Sequence, residues 1–378
     1  MRAPRTSAEL DEIFGPVPAV DPFALRDEQS EMQSDMRARR VVPIGPAIEA
    51  RELAALPGAD ELRDEQLLDA RVRLTEDSRH YPAYPWPALA NLAGPLCPED
   101  LVIVAARTGG GKSLFLQNLF DALITAGRFG LYIGLEQKPE TLRIKWACLR
   151  ADVPPKLMLA PGEMIGTPTW TEAKAKVDAE IDWQRTPEVR VRAHFASTRK
   201  INARGLKTWT QWGVDHGCEF VIVDHVDRVS HGDGRNAFHE MSETVRLAKE
   251  LAAEHRIVMI LASQVGRPAE TLEQFMPPSL HALRGGGTKE EEADTVLGIY
   301  RPLKATVSEK ELKAVRQGLR DRDTVIEPNV MGVMLLKHRL DGPVAGKIVK
   351  LGVRHQRVLE LDERDRWTTA GGYPRQLV

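Results

Sequence analysis

One stretch of the sequence combines a glycine run with a lysine and a hydroxyl side chain, the residue types that hold phosphate. An apolar run at Leu101–Ala105 leads into the octapeptide ARTGGGKS, and a helical pattern follows from Ser113 onward. Consecutive glycines let backbone N–H groups turn inward around phosphate oxygens, and the positive end of the following helix favours an anion. The predicted phosphate loop comprises Ala106, Arg107, Thr108, Gly109, Gly110, Gly111, Lys112 and Ser113.

Two side chains of this loop predict ATP and Mg²⁺ as its ligands. Lys112 is expected to bridge the β- and γ-phosphates, and the Ser113 hydroxyl is expected to bind the metal ion. Ala106 stands where such loops usually begin with glycine. Because the glycines lie between an apolar run and a helical pattern, a phosphate loop is favoured over an ordinary glycine turn.

Three further polar side chains end apolar runs that are typical of strands. Asp224 follows Phe220–Val223 and is predicted to hold Mg²⁺ through its water shell. Glu136, after Gly134-Leu135, is predicted to orient or deprotonate the attacking water. Gln264 ends another run and is predicted to donate to the γ-phosphate and report its presence to the following loop. Because the carboxyl ends of parallel strands meet at one edge of a sheet, these side chains are expected to converge.

Beyond about residue 85, short apolar runs alternate with helical patterns. The runs lie at Leu101–Ala105, Gly130–Leu135, Phe220–Val223, Val258–Ala262, Val296–Tyr300, Val333–Leu336 and Ile348–Val353. The helical patterns include Ser113–Ala126, Glu140–Arg150, Arg204–His216 and Glu240–His255. Such alternation predicts an α/β fold with a mainly parallel twisted sheet and helices on both faces.

Charge and proline content divide the chain into three predicted parts. Residues 1–80 hold 11 Lys+Arg against 17 Asp+Glu, and the remainder holds 41 against 37, so the net charge of −2 sums an acidic front and a mildly basic body. A neutral total argues against a histone-like role without excluding nucleic acid. We predict an acidic, Pro-rich arm with linker helices at 1–84, a core at 85–362 and a tail at 363–378. Within the core, residues 303–330 resemble a polar insertion, with a capping box at Ser308 and Glu311 and apolar positions at Leu312, Val315 and Leu319.

Cysteine usage and the absence of apolar segments predict the compartment. The three cysteines are widely spaced and form no CxxC pair, which argues against a zinc site or a redox dithiol. No stretch has the pattern of a signal peptide or the length of a membrane span. A soluble, cytoplasmic protein is therefore expected.

The order of these motifs resembles the RecA-like ATPase core of DnaB-type replicative helicases, a ring-forming family. The resemblance covers about residues 85–362, whereas generic phosphate-loop proteins share only the loop and the Asp strand. It rests on five segments in the same order: Leu101–Lys112, Gly134–Glu140, Val221–Val229, Leu283–Arg301, and Lys337-His338-Arg339 before Asp341-Gly342-Pro343.

The resemblance implies that nucleotide binds between subunits. Lys112, Ser113, Glu136, Asp224 and Gln264 would then act on the nucleotide of their own subunit. Lys337 and Arg339 would reach into the neighbour's site as a piston and an arginine finger, since a permanently charged planar guanidinium can stabilise charge on the transferring phosphoryl group. Arg301 would lie against the adenine.

The resemblance also implies that single-stranded DNA passes through the centre of the ring, held by two loops. The first is His231–Phe238, with Arg235 and Asn236 available to phosphates. The second is Gly266–Gly287, whose candidate contacts are Arg267, Arg284, Gly285 and Gly286. Backbone contacts of this kind give low sequence specificity. The second loop also carries Glu270 and Glu273, which weakens the basic signature.

The favoured hypothesis is an ATP-driven helicase or translocase on single-stranded DNA that forms a homo-oligomer, a hexameric ring, with a loader or primase as a further partner. Residues 1–80 are too few for a complete N-terminal domain of such helicases, so a stand-alone ATPase core with a short arm is expected. Two alternatives stay open: an ATP-gated DNA-binding filament or recombination mediator, and a regulatory ATPase that engages protein partners without DNA.

Overall fold

The structure is a computed structural model. It describes residues 81–197, 201–230, 237–265, 277–280, 283, 286–304, 306–317, 319–320, 324–339 and 346–361. The predicted arm before residue 81, including its linker helices, and the predicted tail at 363–378 lie outside these residues. The division into arm, core and tail therefore stays a prediction.

A nine-stranded sheet forms the centre of the described region, in the order β11-β10-β9-β8-β1-β7-β5-β2-β3. Its strands are β1 Leu101–Ala106, β2 Gly130–Gly134, β3 Ala193–Ser197, β5 Phe220–Asp224, β7 Val258–Gln264, β8 Thr295–Tyr300, β9 Val330–His338, β10 Ile348–Arg354 and β11 Arg357–Glu360. The six strands from β8 to β3 run parallel, and β9, β10 and β11 continue the sheet antiparallel. Two short strands, β4 Ile201–Asn202 and β6 Val229–Ser230, pair separately.

Helices connect the strands and supply the two layers that cover the sheet. They are α1 Pro87–Ala93, α2 Lys112–Thr125, α3 Pro139–Ala151, α4 Pro155–Leu159, α5 Pro168–Gln184, α6 Pro187–Arg190, α7 Ala203–Asp215, α8 Ala237–His255, α9 Gly286–Glu292 and α10 Glu309–Arg316. Among the described residues, no helix is both long enough and apolar enough to cross a membrane.

The central strands are buried on both faces, which explains their unbroken apolar runs. In β1 the alternate residues Val102 and Val104 belong to one hydrophobic cluster, and Leu101, Ile103 and Ala105 belong to the other. Because successive strand side chains point to opposite faces, each strand supplies both layers. The predicted α/β fold with a mainly parallel sheet is confirmed.

Two edges of this sheet matter for the site. We call the edge where the parallel strands end the carboxyl edge, and the edge where they begin the amino edge. Strand β9 runs the other way: Gly332 pairs with Tyr300 at the carboxyl edge, and His338 pairs with Thr295 at the amino edge. A residue near the start of β9 therefore lies at the carboxyl edge, and one near its end lies at the amino edge.

Some local predictions differ from the structure. The edge strand β3 and the helix α5 before it carry no clear apolar run, and both were missed. In the predicted insertion, the capping box of Ser308 and Glu311 is present at the start of α10, and Leu312 and Val315 belong to a small cluster with Val325 and Ile326. Leu319 was wrongly grouped with them, since it lies beyond the helix and is 77% exposed.

Candidate active site

The glycines of the phosphate loop are required by its backbone. Gly109 and Gly111 have φ of +74° and +101°, in the left-handed region. A Cβ on Gly110 would lie 3.0 Å from the Arg107 carbonyl oxygen and 3.1 Å from the Ala106 Cβ. Ala106 itself ends β1 and is not among the residues with positive φ, so an alanine at this position carries no backbone strain.

Lys112 is the first residue of α2 and places a cation inside the loop. Its Nζ donates to the Ala106 carbonyl oxygen at 3.1 Å, and the residue is 6% exposed. Burial lowers the pKa of Lys112, while Asp227, Asp224 and Glu136 act in the opposite direction. A buried ammonium group at the start of a helix, next to a glycine loop, is complementary to a phosphate anion.

Asp224, the last residue of β5, presents two carboxylate oxygens with different surroundings. Its Oδ2 accepts a hydrogen bond from the Tyr132 hydroxyl at 2.8 Å, whereas its buried Oδ1 has no hydrogen-bond partner among the residues that the structure describes. Burial and the Asp224 carboxylate raise the pKa of Tyr132 well above its usual value, which keeps the phenol a donor. A buried oxygen of this kind is costly without a ligand, and a hard cation such as Mg²⁺ would satisfy it.

The donor set around Asp224 fits Mg²⁺ shared with phosphate better than an all-protein metal site. Ser113, on the first turn of α2, is half-buried and supplies a hydroxyl oxygen. Among the described residues, no group of three or more His, Cys, Asp or Glu side chains could hold a metal ion. Mg²⁺ commonly uses one or two protein oxygens together with substrate phosphates and water.

Glu136 lies just beyond β2 and is paired with two residues that follow β5. Its Oε1 accepts from Arg228 Nη2 at 2.8 Å, and its Oε2 lies 3.3 Å from His225 Nε2. His225 has φ of +78°, a left-handed conformation that is unusual for a residue other than glycine. The structure thus brings Glu136 to the carboxyl edge, close to the end of the Asp224 strand.

Gln264 ends β7 and contacts the phosphate loop directly. Its side-chain Nε2 donates to the Thr108 hydroxyl, and its backbone N–H donates to Asp227 Oδ2 at 2.6 Å. The other Asp227 oxygen lies 3.4 Å from Lys289 Nζ, and Lys289 donates to the Ser263 hydroxyl at 2.6 Å. The predicted phosphate reporter is therefore fixed at both its side chain and its backbone.

Lys337 and Arg339 lie at the amino edge, away from the phosphate loop. Lys337 Nζ donates to the backbone carbonyl oxygens of Glu290 and Glu291 at the end of α9. Arg339 Nη1 donates to Asp294 Oδ1 at 2.9 Å. The other oxygen of Asp294 accepts from the backbone N–H of Leu101, at the start of β1, and from Lys249 Nζ.

The remaining predicted residues divide between described and undescribed positions. Arg301 follows β8 at the carboxyl edge and is half-buried, and Gly286 is the first residue of α9. The other candidate DNA contacts lie outside the described residues: Arg235, Asn236, Arg267, Arg284 and Gly285. The nucleotide, metal and DNA roles of all these residues stay predictions.

Sequence reasoning missed several side chains that shape the site. Tyr132 is hidden within an apolar strand, and Lys289 lies in a run of charges that is typical of a solvent-exposed helix but is fully buried. Lys145 on α3 has its pKa lowered by burial, with Asp224 and Glu136 acting in the opposite direction. A usable signal existed only for Asp227 and Arg228, whose charges directly follow the Asp224 strand.

A phosphate loop at the carboxyl edge of a mainly parallel sheet is the arrangement of phosphate-loop nucleotide-binding proteins. Comparison with solved structures gives a RecA-like ATPase fold, and two of the similar structures illustrate it. One, described as an ATPase domain, gives a TM-score of 0.63 at 18% identity, covering 79% of this chain and 98% of that one. The other, a DnaB-like replicative helicase whose structure describes its interactions with primase, gives 0.62 at 19% identity, covering 90% and 76%. At these identities the likeness shows the fold alone.

Sequence comparison gives the family. A profile described as the DnaB-like helicase C terminal domain matches residues 86–356, and the chain belongs to this family. It is 30% identical over 212 residues to the replicative DNA helicase DnaB of Geobacillus stearothermophilus, covering 54% of this chain and 43% of that protein. It is 25% identical over 274 residues to the replicative DNA helicase DnaC of Bacillus subtilis (strain 168), covering 70% and 53%. The chain thus spans about half the length of these relatives.

Proposed function

We propose that this chain is the motor core of a DNA helicase that hydrolyses ATP between copies of itself and moves along single-stranded DNA. The supporting observation is the separation of two sets of charged residues. Lys112 and Asp224 lie at the carboxyl edge, and Lys337 and Arg339 lie at the amino edge. Each set has the chemistry of half an ATPase site.

The length of β9 gives the scale of this separation. Met331, near its start, packs so close to the phosphate loop that a Cβ on Gly111 would lie 2.6 Å from the Met331 Cε. Lys337 is six residues further along the strand, roughly 20 Å away at the usual rise per residue. A nucleotide on the phosphate loop is therefore beyond the reach of Arg339 of the same chain. Arg339 can contribute to hydrolysis only at a site held by another copy.

Within one site, each residue of the carboxyl edge has a role suited to its surroundings. The loop amides and Lys112 would bind the phosphates, and Ser113 with Asp224 would hold Mg²⁺, which when bound neutralises charge on the phosphates. Glu136 would orient or deprotonate the attacking water once it is released from Arg228 and His225. Gln264, held between Thr108 and Asp227, would register the γ-phosphate, and Arg301 would lie beside the base.

Two helices of the core directly follow the candidate DNA loops. Helix α8 begins at Ala237 and α9 at Gly286, each at the end of a segment with candidate phosphate contacts. We expect binding to single strands with low sequence preference and an affinity that falls with salt. A closed ring of six copies is the assembly that the family resemblance implies, with a loader or primase as an added partner.

Mixing two inactive variants tests the shared site. Lys112→Ala removes the phosphate cation, and Arg339→Ala removes the finger. In an equimolar mixture, about one interface in four combines an intact loop from one copy with an intact finger from the other, if neighbours associate head to tail at random. Phosphate release should therefore reappear on mixing, with each variant alone at the same total concentration as the control. A mixture that stays inactive under conditions where the copies exchange would remove the trans-acting role of Arg339.

The alternatives give different results in two further measurements. Negative-stain images of rings with a central channel and ATPase activity stimulated by single-stranded DNA support the helicase. Helical filaments support the DNA-binding filament, and an ATPase that is indifferent to DNA supports the protein-partner switch. Strand displacement on forked DNA with either a 5′ or a 3′ tail then tests unwinding itself and gives its polarity.

A further inference from the structure

A fully buried lysine links the site to the short helix α9. Lys289 has no exposed surface, and its Nζ contacts the Ser263 hydroxyl at 2.6 Å and Asp227 Oδ1 at 3.4 Å. Asp227 is also nearly buried, and its second oxygen holds the backbone N–H of Gln264. Taking two charges out of water is costly, and loss of either partner would leave the other charge buried and unpaired.

The same helix and the residues just after it are fixed at three further points. Thr288 donates to the Ser242 hydroxyl on α8 at 3.0 Å, which ties α9 to the helix that follows the other candidate DNA loop. At the end of α9, the carbonyl oxygens of Glu290 and Glu291 hold Lys337. Asp294, two residues beyond the helix, holds Arg339. One short segment therefore contacts the carboxyl edge through Lys289 and the amino edge through Lys337 and Arg339.

We propose that Lys289 is a positioning residue that, through Asp227, connects the nucleotide-contacting Gln264 to α9 and hence to Lys337 and Arg339. This proposal rests on the proposed function and adds to it a route by which occupancy of one site sets the position of the residues offered to the next. Lys289 itself touches no nucleotide. It acts by transmitting the position of Gln264.

The chemistry of the cluster suits this task. The Gln264 side chain contacts Thr108 in the phosphate loop, so a ligand on the loop changes the surroundings of Gln264. Its backbone N–H is bound to Asp227, so displacement of Gln264 displaces the carboxylate that faces Lys289. Because both charged groups are buried, where electrostatic interactions are stronger than in water, a shift of the Asp227 carboxylate changes the forces on Lys289. Two apolar side chains at positions 227 and 289 could fill the same space, but they would lack this charge interaction.

The test uses the full chain with Lys289→Met and Asp227→Asn combined. Lys289→Met alone leaves a buried carboxylate without its cation and is expected to destabilise the fold. In the double variant the introduced amide oxygen can still accept from the Gln264 N–H, so this hydrogen bond is kept while the ionic link to α9 is cut. Arg128→Met with Glu219→Gln is the matched control, because it neutralises a partly buried ion pair outside the site.

The readouts are hydrogen exchange of residues 288–294 with and without a non-hydrolysable ATP analogue, and steady-state ATP hydrolysis. In the natural protein and the control, the analogue should slow exchange in this segment. In the double variant that protection should disappear, with an ATP KM within about twofold and a kcat lowered by about tenfold, a size typical of coupling between sites. Ser263→Ala is a smaller change that removes one Lys289 partner, and it should give an intermediate loss of the protection from exchange. It serves as the test variant if the double variant folds poorly.

Each result decides the proposal separately from the function on which it rests. If the analogue does not change exchange in residues 288–294 of the natural protein, or if the double variant keeps the full change, Lys289 is only structural. If the natural protein neither binds nor hydrolyses ATP, the proposed function is contradicted instead. ATP binding and hydrolysis by the natural protein are therefore measured before any variant is compared.

Discussion

The two edges of the sheet differ in how completely their charged groups are satisfied. At the amino edge, Asp294 is enclosed by the Leu101 N–H, Lys249 and Arg339. At the carboxyl edge, within the described part of the chain, Asp224 Oδ1 is buried without a donor, and Lys112 Nζ donates to the Ala106 carbonyl oxygen. Buried polar groups are normally paired, so an incomplete set marks the place where a ligand supplies the missing partners. The carboxyl edge therefore has the pattern of a ligand site, and under the proposed function the amino edge carries the residues that act on a neighbouring copy.

To act in a neighbour's site, the Arg339 side chain must leave the Asp294 carboxylate of its own chain. It would then exchange one charge-assisted hydrogen bond for contacts to phosphate. Its side chain is 55% exposed, so the exchange needs little unpacking. Asp294 keeps Lys249 and the Leu101 N–H after Arg339 departs, which avoids leaving a bare carboxylate. The Arg339 side chain can thus move away while the Asp294 carboxylate stays hydrogen-bonded.

The largest effect is expected from removing the cation of the carboxyl edge. Lys112→Ala should abolish ATP hydrolysis and weaken nucleotide binding, because under the proposed function the buried ammonium is the charge that faces the phosphates. Phosphate release and binding of a fluorescent ATP analogue measure the two effects. Lys249→Ala, which removes a lysine of the amino edge, should lower thermal stability and leave nucleotide affinity unchanged. Equal loss of affinity in the two variants would contradict the contrast between the edges.

A smaller effect is expected from the carboxylate that faces Arg228. Glu136→Gln should lower kcat by about 10²–10⁴, the usual contribution of a positioned acid or base, with nucleotide affinity retained. Glu140→Gln is the matched control, since Glu140 is an exposed acid on the first turn of the following helix. The assignment of Glu136 fails if the two variants hydrolyse ATP at similar rates.

The sequence is informative where chemistry follows strand ends. Glu136, Asp224 and Gln264 stand at or just after the ends of apolar runs, and Lys112 closes the glycine loop that follows another such run. Their convergence at one edge therefore follows from parallel strand order. Positions of Lys337 and Arg339 could not be derived in this way, because β9 is antiparallel and its last residues reach the other edge. Only the strand pairing shows that the two sets are separated within one chain.

Buried charges are the second limit. Lys289 stands in the sequence TKEEEAD, where neighbouring acids indicate a solvated helix, and its burial depends on Asp227 and Ser263 from distant segments. Tyr132 is indistinguishable in sequence from any aromatic residue of a buried strand. Its hydroxyl matters because β2 lies beside β5, which puts the ring next to Asp224. Tertiary pairing decides both cases, and local pattern carries no trace of it.

That neighbour relation predicts a moderate effect on metal use. Tyr132→Phe removes the hydrogen bond that orients Asp224, and loss of such an outer partner typically costs about 10–100-fold in metal affinity or activity. ATP hydrolysis titrated with Mg²⁺ should show a correspondingly higher half-saturating concentration. Trp146→Phe provides the comparison, since it also removes a buried aromatic donor from a carboxylate, Asp121, outside the site. It should lower stability without changing the Mg²⁺ requirement.

The smallest effect is expected from an acid of the amino edge, and it concerns stability. Burial raises the pKa of Asp100 from 3.8 to about 6; the Cys97 N–H and Lys249 oppose this rise, and Asp294 and Glu99 add to it. The folded state therefore binds more protons than the unfolded state between these values, so stability falls as pH rises from about 4 to about 6. Asp100→Asn can keep the acceptor for the Cys97 N–H and should remove this fall.

The expected gain in the free energy of unfolding follows from the rise in the Asp100 pKa. It is smaller than the full shift would give, because part of the Asp100 side chain reaches solvent. We expect Asp100→Asn to gain about 1–2 kcal/mol at pH 7, with little change at pH 4. Thermal unfolding across this pH range measures it, at about 2–4 °C per kcal/mol for a domain of this order. Nucleotide affinity should not change, because Asp100 precedes β1 and the phosphate loop follows it. A variant that keeps the natural pH slope would show that the amino edge does not hold Asp100 against ionisation.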